Sequence, residues 1–457
     1  MLKRFFVTDV LGISLPMQES NMLKLTEYEQ EMLDGKHGAL KRVAMQNVVK
    51  YAKVVGAEEL VEVSKATIYL GAHSYLEACA ADKTGDYDKV FAKMYMCTDE
   101  DIKLDKFAEN CYCQTCVSPC EEYDYEWTHI PKELFEKNQR YLKRAVDANC
   151  ALAGSCTPYL NGWVPLFGEY VVTSESSNVT MSNSAFGARC NADGEEALTW
   201  IAACGRAPLW GYYLQENRYA DTIFHLECNS KTRFDWDLIG YTVGRMLPNH
   251  GVPVLCGNFH RPTLTTLKQC FTAMATTSSC EICHIVGVTP EARSLEDARG
   301  NKELRGEFTI TNDDLRESYH QICSAGSGPI NYVILGCPHY SLEDIQKAAL
   351  YIRGKKVKPG VDLSIWTDMS SREMAKRSGY LDMIEEAGAK LMASSCPLVM
   401  DPCAFAHVTA MCTDAGKQSH YMHSSFDPAK NVKIYYGSPE KCIDSAVTGY
   451  WEEEEYV

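Results

Sequence analysis

The sequence has no apolar run long enough to cross a bilayer. It is short of positive charge. Forty-five Lys and Arg against 61 Asp and Glu leave a net charge of −16, which argues against nucleic acid and anionic membranes as partners. There is no Walker loop, no Rossmann glycine fingerprint after a strand, no HExxH and no GxSxG. Nucleotide-dependent, zinc-protease and serine-hydrolase chemistries are therefore disfavoured. No internal repeat is present, and the one low-complexity stretch is the acidic tail Glu452–Glu455. The opening segment Met1–Val10 has a faint signal-peptide character, but Asp9 interrupts it and no small-residue cleavage site follows. The expected location is the cytoplasm.

What remains is a chain of 457 residues, 46% hydrophobic, which is too long for one ordinary core. Two or three domains are expected. Its 21 cysteines are scattered and do not form a compact disulfide framework. Most are expected to be small buried hydrophobes. In a reducing cytoplasm, such usage also suits iron–sulfur chemistry. The sequon Asn178-Val-Thr180 carries no meaning in that compartment.

Residues 1–24 read as an extension. Thr26 precedes Glu29 by three, with Leu25 before it, which is a capping-box helix start. The helix should run to about Val55 with a break near Gly35–Gly38. The catalytic region is expected over 25–270 and a C-terminal α/β region over 271–450, followed by the tail at 451–457. Residues 85–125 are polar, acidic and cysteine-rich, and read as a loop or insertion centred on about 95–125. Residues 132–153 return to helical spacing. Apolar runs at 283–288, 331–336, 361–367 and 389–393 predict buried strands. Helices between the later ones are capped by Ser341, with Asp344 three residues on, and by Ser370, with Glu373 three residues on. Alternating strands and helices imply a parallel sheet with right-handed crossovers. Cys337 and Cys396 would then emerge at the same carboxyl edge, where open α/β folds place their ligands.

The densest polar segment is Glu175–Arg189, with one acid, one base, two amides and several hydroxyls. It is either a solvated loop or a wall of donors and acceptors around a small anion. Cys156, Cys337 and Cys396 each stand directly before a proline or one residue from it, so each thiol sits on a rigid turn. Three thiolates would leave a metal with an open position. Cys111, Cys113, Cys116 and Cys120 have compact metal-like spacing and suggest a structural zinc or a second iron site. Glu291 stands at a proline-fixed loop edge, where it orients a substrate or caps a helix. His284 reads as a core histidine, with Cys280 and Cys283 as alternative ligands. Lys417 follows a glycine in a polar loop and could pair with a substrate carboxylate. Arg189 and Arg206 could do the same, and Arg189 is the favoured clamp.

The order of these motifs resembles the catalytic, or large, subunit of aconitase X. The matching pieces begin with Leu25-Thr26, Met32-Leu33 with Gly35, Ala44-Met45 and Gly56-Ala57. Ser155-Cys-Thr-Pro-Tyr159, the Glu175–Arg189 segment and Gly205-Arg-Ala-Pro208 follow. Then come Val286-Gly-Val-Thr-Pro-Glu-Ala292, Gly336-Cys-Pro-His-Tyr-Ser-Leu-Glu343, Cys396-Pro and Gly416-Lys417. The sequence departs from the family pattern at Met94–Glu100, Ser64–Thr67, Cys190–Ala192 and the cysteine-rich 111–120 stretch.

The resemblance implies the three catalytic domains of aconitase: an α/β fold of parallel and mixed sheets flanked by helices, without the small swivelling domain. It implies an iron–sulfur cluster of unstated nuclearity, or mononuclear iron, and a hydro-lyase acting on a small β-hydroxy carboxylate. Known members dehydrate phosphomevalonate or cis-3-hydroxyproline. The swivelling domain is often a separate small subunit, and such a subunit is the expected partner, with no nucleic acid and no membrane. In the expected mechanism Cys156, Cys337 and Cys396 hold the iron. Arg189 and Lys417 hold anionic groups, with Glu175 and His339 beside the substrate. Ser176, Asn183, Ser184 and Glu291 orient it and stabilise developing charge. The alternatives are a divergent lyase or isomerase on a new substrate, and a non-catalytic iron–sulfur or zinc subunit.

Overall fold

The computed structural model describes residues 23–457 apart from 70, 73–75, 77–78, 109–110, 115–120, 427, 455 and 457. Three sheets, each wholly parallel, organise the chain. The first has strand order Cys150–Ala151, Cys111–Cys113, Lys65–Ile68, Val171–Val172. The second runs Gly306–Thr311, Thr222–Glu227, Pro253–Gly257, His284–Ile285. The third runs Lys390–Ala393, Asp362–Thr367, Tyr332–Tyr340, Ala410–Thr413, Lys433–Tyr436. In the third, all nine residues of Tyr332–Tyr340 are buried. A parallel strand covered by helices on both faces must be apolar throughout, which is why it reads as one hydrophobic run.

The local signals act as the sequence predicts at several places. Thr26 and Glu29 form both bonds of a capping box, opening the helix Glu27–Leu33. The chain breaks at Gly35 and Gly38 before the helix Ala39–Val55. Ser341 and Asp344 form a second capping box at the helix Leu342–Ile352. Three readings need correction. The cap after the strand Asp362–Thr367 is Asp368, not Ser370, because the Asp368 carboxylate accepts the Ser371 amide at 2.9 Å. The apolar run at 283–288 supplies only the two-residue edge strand His284–Ile285. The stretch 85–125 is not simply a loop. It holds the helix Tyr87–Val90, a helical turn at Phe91–Tyr95 and the strand Cys111–Cys113, an inner strand of the first sheet. Three residues are too few to show an alternating pattern. The tail is tied down in part, since Glu454 pairs with Lys441 and the Glu453 carboxylate accepts the Gly326 amide.

Two helices behind the later site pack unusually closely. Arg233–Met246 starts at a Thr232/Asp235 capping box and Leu264–Ser278 at Thr263/Thr266. Gly240 and Gly244 face the second helix one turn apart. A Cβ at Gly240 would lie 2.1 Å from the Cys270 carbonyl oxygen, and one at Gly244 would lie 2.5 Å from that of Met274. Neither contact can be relieved by moving a flexible side chain. Gly240→Ala should therefore cost about 1–3 kcal/mol, read as a lower denaturation midpoint. An unchanged midpoint would show that the helices can part freely.

Candidate active site

Cys156, Cys337 and Cys396 come together on the wall of one cavity of about 400 Å³, which Glu175, Ser176 and Lys417 also line. Each thiol arrives from a different segment. Cys337 lies at the irregular end of the strand Tyr332–Tyr340, where pairing with Asp362–Thr367 slips between Leu335 and Tyr340. Gly336 stands at φ +101°, and a Cβ there would lie 2.3 Å from the Trp366 carbonyl oxygen, so only glycine lets the chain turn so close to its neighbour. Cys396 follows the strand Lys390–Ala393, and its sulfur accepts the Leu398 amide at 3.4 Å. Cys156 comes from the loop after Gly154, where a Cβ would lie 2.8 Å from the Ser394 Cα.

His339 ties the three segments together. Its Nε2 donates to the Ser395 carbonyl at 2.8 Å, so its Nδ1 accepts from the Ser155 hydroxyl at 3.1 Å. Its backbone amide donates to the Cys156 sulfur at 3.3 Å. Burial lowers its pKa and keeps the ring neutral. His339 is fully buried with both ring nitrogens engaged, which places it behind the cavity wall.

The turn is held from below by groups that sequence reasoning missed. Lys268 Nζ donates to the carbonyls of His339 at 2.6 Å and Pro338 at 3.4 Å, and lies 3.2 Å from Asp344. Gln269 Nε2 donates to the Cys337 carbonyl at 3.1 Å and to Asp237 at 2.6 Å. Arg233 pairs with Asp414, and Asp414 accepts the Tyr340 hydroxyl at 2.5 Å and the Gly336 amide at 3.3 Å. The available signal was Lys268-Gln269 inside the helix Leu264–Ser278, which otherwise has no charged residue.

The other wall is the start of the helix Ser176–Ser184. Glu175 precedes its first turn, and its backbone amide donates to Gln114 Oε1 at 3.1 Å. Lys417 opens the helix Gly416–Ser425, whose first amide donates to the buried Asp237 at 2.6 Å. Lys417 Nζ lies 2.8 Å from Glu175 and 3.1 Å from the Ser176 hydroxyl. Burial opposes both charges. For Glu175, Lys417 outweighs it and holds the carboxyl below its ordinary value. For Lys417, Glu175 and then Cys337 outweigh it and hold the ammonium protonated.

The remaining predicted residues do not line this cavity. Asn183 donates to the Cys190 and Glu281 carbonyls at 2.8 and 2.9 Å and accepts from Arg218 at 2.9 Å. Glu291 is the counter-ion of the fully buried Arg218, at 3.0 Å. The Ser184 hydroxyl accepts the Cys283 amide at 2.8 Å. Arg189 donates to the Tyr213 carbonyl at 3.0 Å, and Arg206 pairs with Glu29 at 3.1 Å. The sequon Asn178 is buried in the helix Ser176–Ser184. Cys111 and Cys113 sit in the apolar core of the first sheet. Cys116 and Cys120 lie outside the described residues.

The donor set fits an iron–sulfur cluster. Burial pushes the Cys396 thiol up to about 11 and raises Cys156 and Cys337 as well. Buried thiols like these stay protonated unless a cationic centre takes the proton's place. Three of them share one cavity, each on a segment held by backbone hydrogen bonds.

Below them, burial pushes the Asp344 carboxyl up, but Lys268 and then Arg233 outweigh it and bring it down to about 2. Asp344→Asn would leave Lys268 buried beside backbone carbonyls and a neutral amide. A loss of about 3 kcal/mol is expected in chemical denaturation near neutral pH. The folded carboxyl lies below its ordinary value of about 3.9, so this stability is present above that pH and fades towards about pH 2. The gap between wild type and variant should close over that window. A gap that stays constant would contradict the pairing.

Comparison with known proteins gives the frame. The chain matches models of the aconitase X first domain over residues 22–216, second domain over 220–320 and third domain over 330–448. It is 29% identical over 401 residues to the phosphomevalonate dehydratase large subunit of Methanothermobacter thermautotrophicus, covering 87% of this chain and 93% of the relative. It is 27% identical over 431 residues to the cis-3-hydroxy-L-proline dehydratase of Pseudomonas aeruginosa, covering 93% of this chain and 70% of the relative. The crystal structure of Thermococcus kodakaraensis aconitase X, holo-form, superposes with a TM-score of 0.77 at 26% identity, covering 93% of this chain and all of that one. With dehydratases matched over nearly its whole length, the chain is a hydro-lyase. By its three consecutive domain matches and its fold, it belongs to the aconitase X family.

Proposed function

We propose that the protein dehydrates a small β-hydroxy carboxylate in the cavity between Glu175, Lys417 and the three cysteines. The observation that carries this reading is one cavity holding three buried thiols and the Glu175–Lys417 pair. The helix Ser176–Ser184 presents its amino end to it, and the helix Gly416–Ser425 lines it with Lys417, Tyr421, Ser424 and Ser425. The helix dipole at Ser176 favours an anion there. A substrate carboxylate would compete with Glu175 for Lys417 and accept from the Ser176 hydroxyl. Dehydration removes a proton from the carbon next to the carboxylate and hydroxide from the carbon beyond, leaving a carbon–carbon double bond and one water.

Cys156, Cys337 and Cys396 would hold an iron–sulfur cluster. Among the described residues, the three metal-type donors that close to within 4.8 Å of one another are His129, Asp362 and His407, and the three sulfurs are not such a group. Wider spacing suits a cluster more than a single ion. A cluster with one open iron supplies Lewis-acid help to hydroxide departure. Lys417 and Ser176 position the acid end, and the apolar Leu398 and Val399 limit water on the same wall. The relatives called large subunits make a small-subunit partner part of this proposal. The nineteen described cysteines carry free thiols, which supports a reducing compartment and a cytoplasmic location. Among the described residues, no helix is long and apolar enough to cross a membrane.

Protein purified without oxygen should contain iron and sulfide, and should form an alkene, read by ultraviolet absorbance, from a β-hydroxy acid when a small subunit is supplied. Absence of iron and of alkene from every candidate would end this reading. Cys337→Ser should lose the iron, whereas Cys113→Ala should retain it. Equal loss from both would move the metal elsewhere. Lys417→Met should lower kcat/KM by about 100-fold or more while keeping iron content. A fall of less than about threefold would remove Lys417 from substrate binding.

A further inference from the structure

The group His129, Asp362 and His407 lies away from the cavity, at the opposite edge of the third sheet. Asp362 is the first residue of the strand Asp362–Thr367. Cys337 and Cys396 lie at the far ends of this sheet's strands, and six residues of strand span roughly 20 Å. His407 lies in the loop before the strand Ala410–Thr413, and His129 in the turn after the helix Glu122–Trp127. His129 therefore belongs to the first domain, while the other two belong to the third.

The three side chains converge. His407 Nε2 lies 3.0 Å from an Asp362 carboxylate oxygen. The rings of His129 and His407 are 4.9 Å apart at 73°. One donor atom from each residue falls within 4.8 Å of the other two. The backbone beneath them is fixed. Asn331 Nδ2 donates to the His407 carbonyl at 2.9 Å, its Oδ1 accepts the Thr409 amide at 2.9 Å, and its own carbonyl accepts the Asp362 amide at 3.0 Å. Trp127 Nε1 donates to the Ser364 hydroxyl at 3.0 Å, which holds the helix before His129 against the strand carrying Asp362. His129 itself stands at φ +58°, a region few non-glycine residues enter.

An ordinary His–Asp pair accounts for two of these residues, and the third, from another domain, brings a further metal-type donor to the same point. We infer that His129, Asp362 and His407 form a site for one divalent transition ion, zinc foremost, that staples the first domain to the third. Two imidazoles and one carboxylate suit a borderline ion and not magnesium or calcium, which take oxygen ligands. The ion would take the place of the proton shared by His407 and Asp362, and water would complete its shell. This inference stands whichever acid the enzyme dehydrates.

The test uses protein with its cluster loaded, titrated with Co2+ without oxygen. A site of nitrogen and oxygen donors gives visible cobalt bands without the strong near-ultraviolet thiolate bands that binding at cysteine would add. One equivalent of such a site should form, and one equivalent of Zn2+ should displace it and raise the thermal midpoint. Asp362→Asn and His407→Gln should weaken binding tenfold or more, roughly the usual cost of disturbing a metal site. Both also disturb the pair that holds the loop, so His129→Ala, on an exposed turn, is the deciding variant. It should weaken binding to the same degree and abolish the zinc-dependent rise. No cobalt signal in large metal excess, or equal affinity in wild type and His129→Ala, would overturn the proposal.

Discussion

One neutral imidazole sets the geometry on which the cavity depends. His339 uses its ring and its amide to reach Ser155, Ser395 and the Cys156 sulfur, while its own backbone belongs to the Cys337 turn. Two of these bonds go to the Cys156 segment and one to the Cys396 segment, so with its own backbone the residue joins all three. The ring is neutral, with one nitrogen donating and the other accepting. Burial keeps it so.

Behind that ring lies a concentration of charge: Lys268, Asp344, Asp414 and Asp237 are buried, and Arg233 is half-buried beside them. Buried ion pairs add little net stability, since desolvation consumes most of what their attraction returns. What they supply here is direction. Lys268, Asp414 and Asp237 aim at backbone groups of the turn or of the Lys417 helix, namely the His339 carbonyl and the Gly336 and Gly416 amides, while Asp344 and Arg233 pair with Lys268 and Asp414. Such groups have no apolar substitute. The close helix crossing at Gly240 and Gly244 brings Gln269 and Lys268 within reach of them.

The sequence made the third sheet readable because its strands are long, apolar and separated by capped helices. The first sheet was hidden because its strands are two to four residues long. At the cavity, the proline-flanked thiols and the Gly416-Lys417 step were legible because a rigid turn leaves a mark in sequence. Asn183, Ser184, Arg189 and Glu291 carry the same chemistry, but buried partners such as Arg218 and the Cys190 and Cys283 backbones claim them. Nothing local separates a polar residue facing a cavity from one facing a buried arginine. That distinction depends on which distant segment packs opposite.

The cysteines make the same point in physical terms. Cys111, Cys113 and Cys150 lie inside paired strands, with Cys111 opposite Cys150 in register, and behave as small apolar side chains. Cys156, Cys337 and Cys396 are just as buried, yet they stand on turns beside an open cavity and next to a charged lysine. Burial alone therefore does not sort the two groups. A thiol in the paired register of a strand has its surroundings filled by neighbouring strands, whereas Cys337 lies where the pairing of its strand slips. A thiol at a turn keeps one side unfilled, and the fixed turn carries the entropy cost of ordering before anything binds.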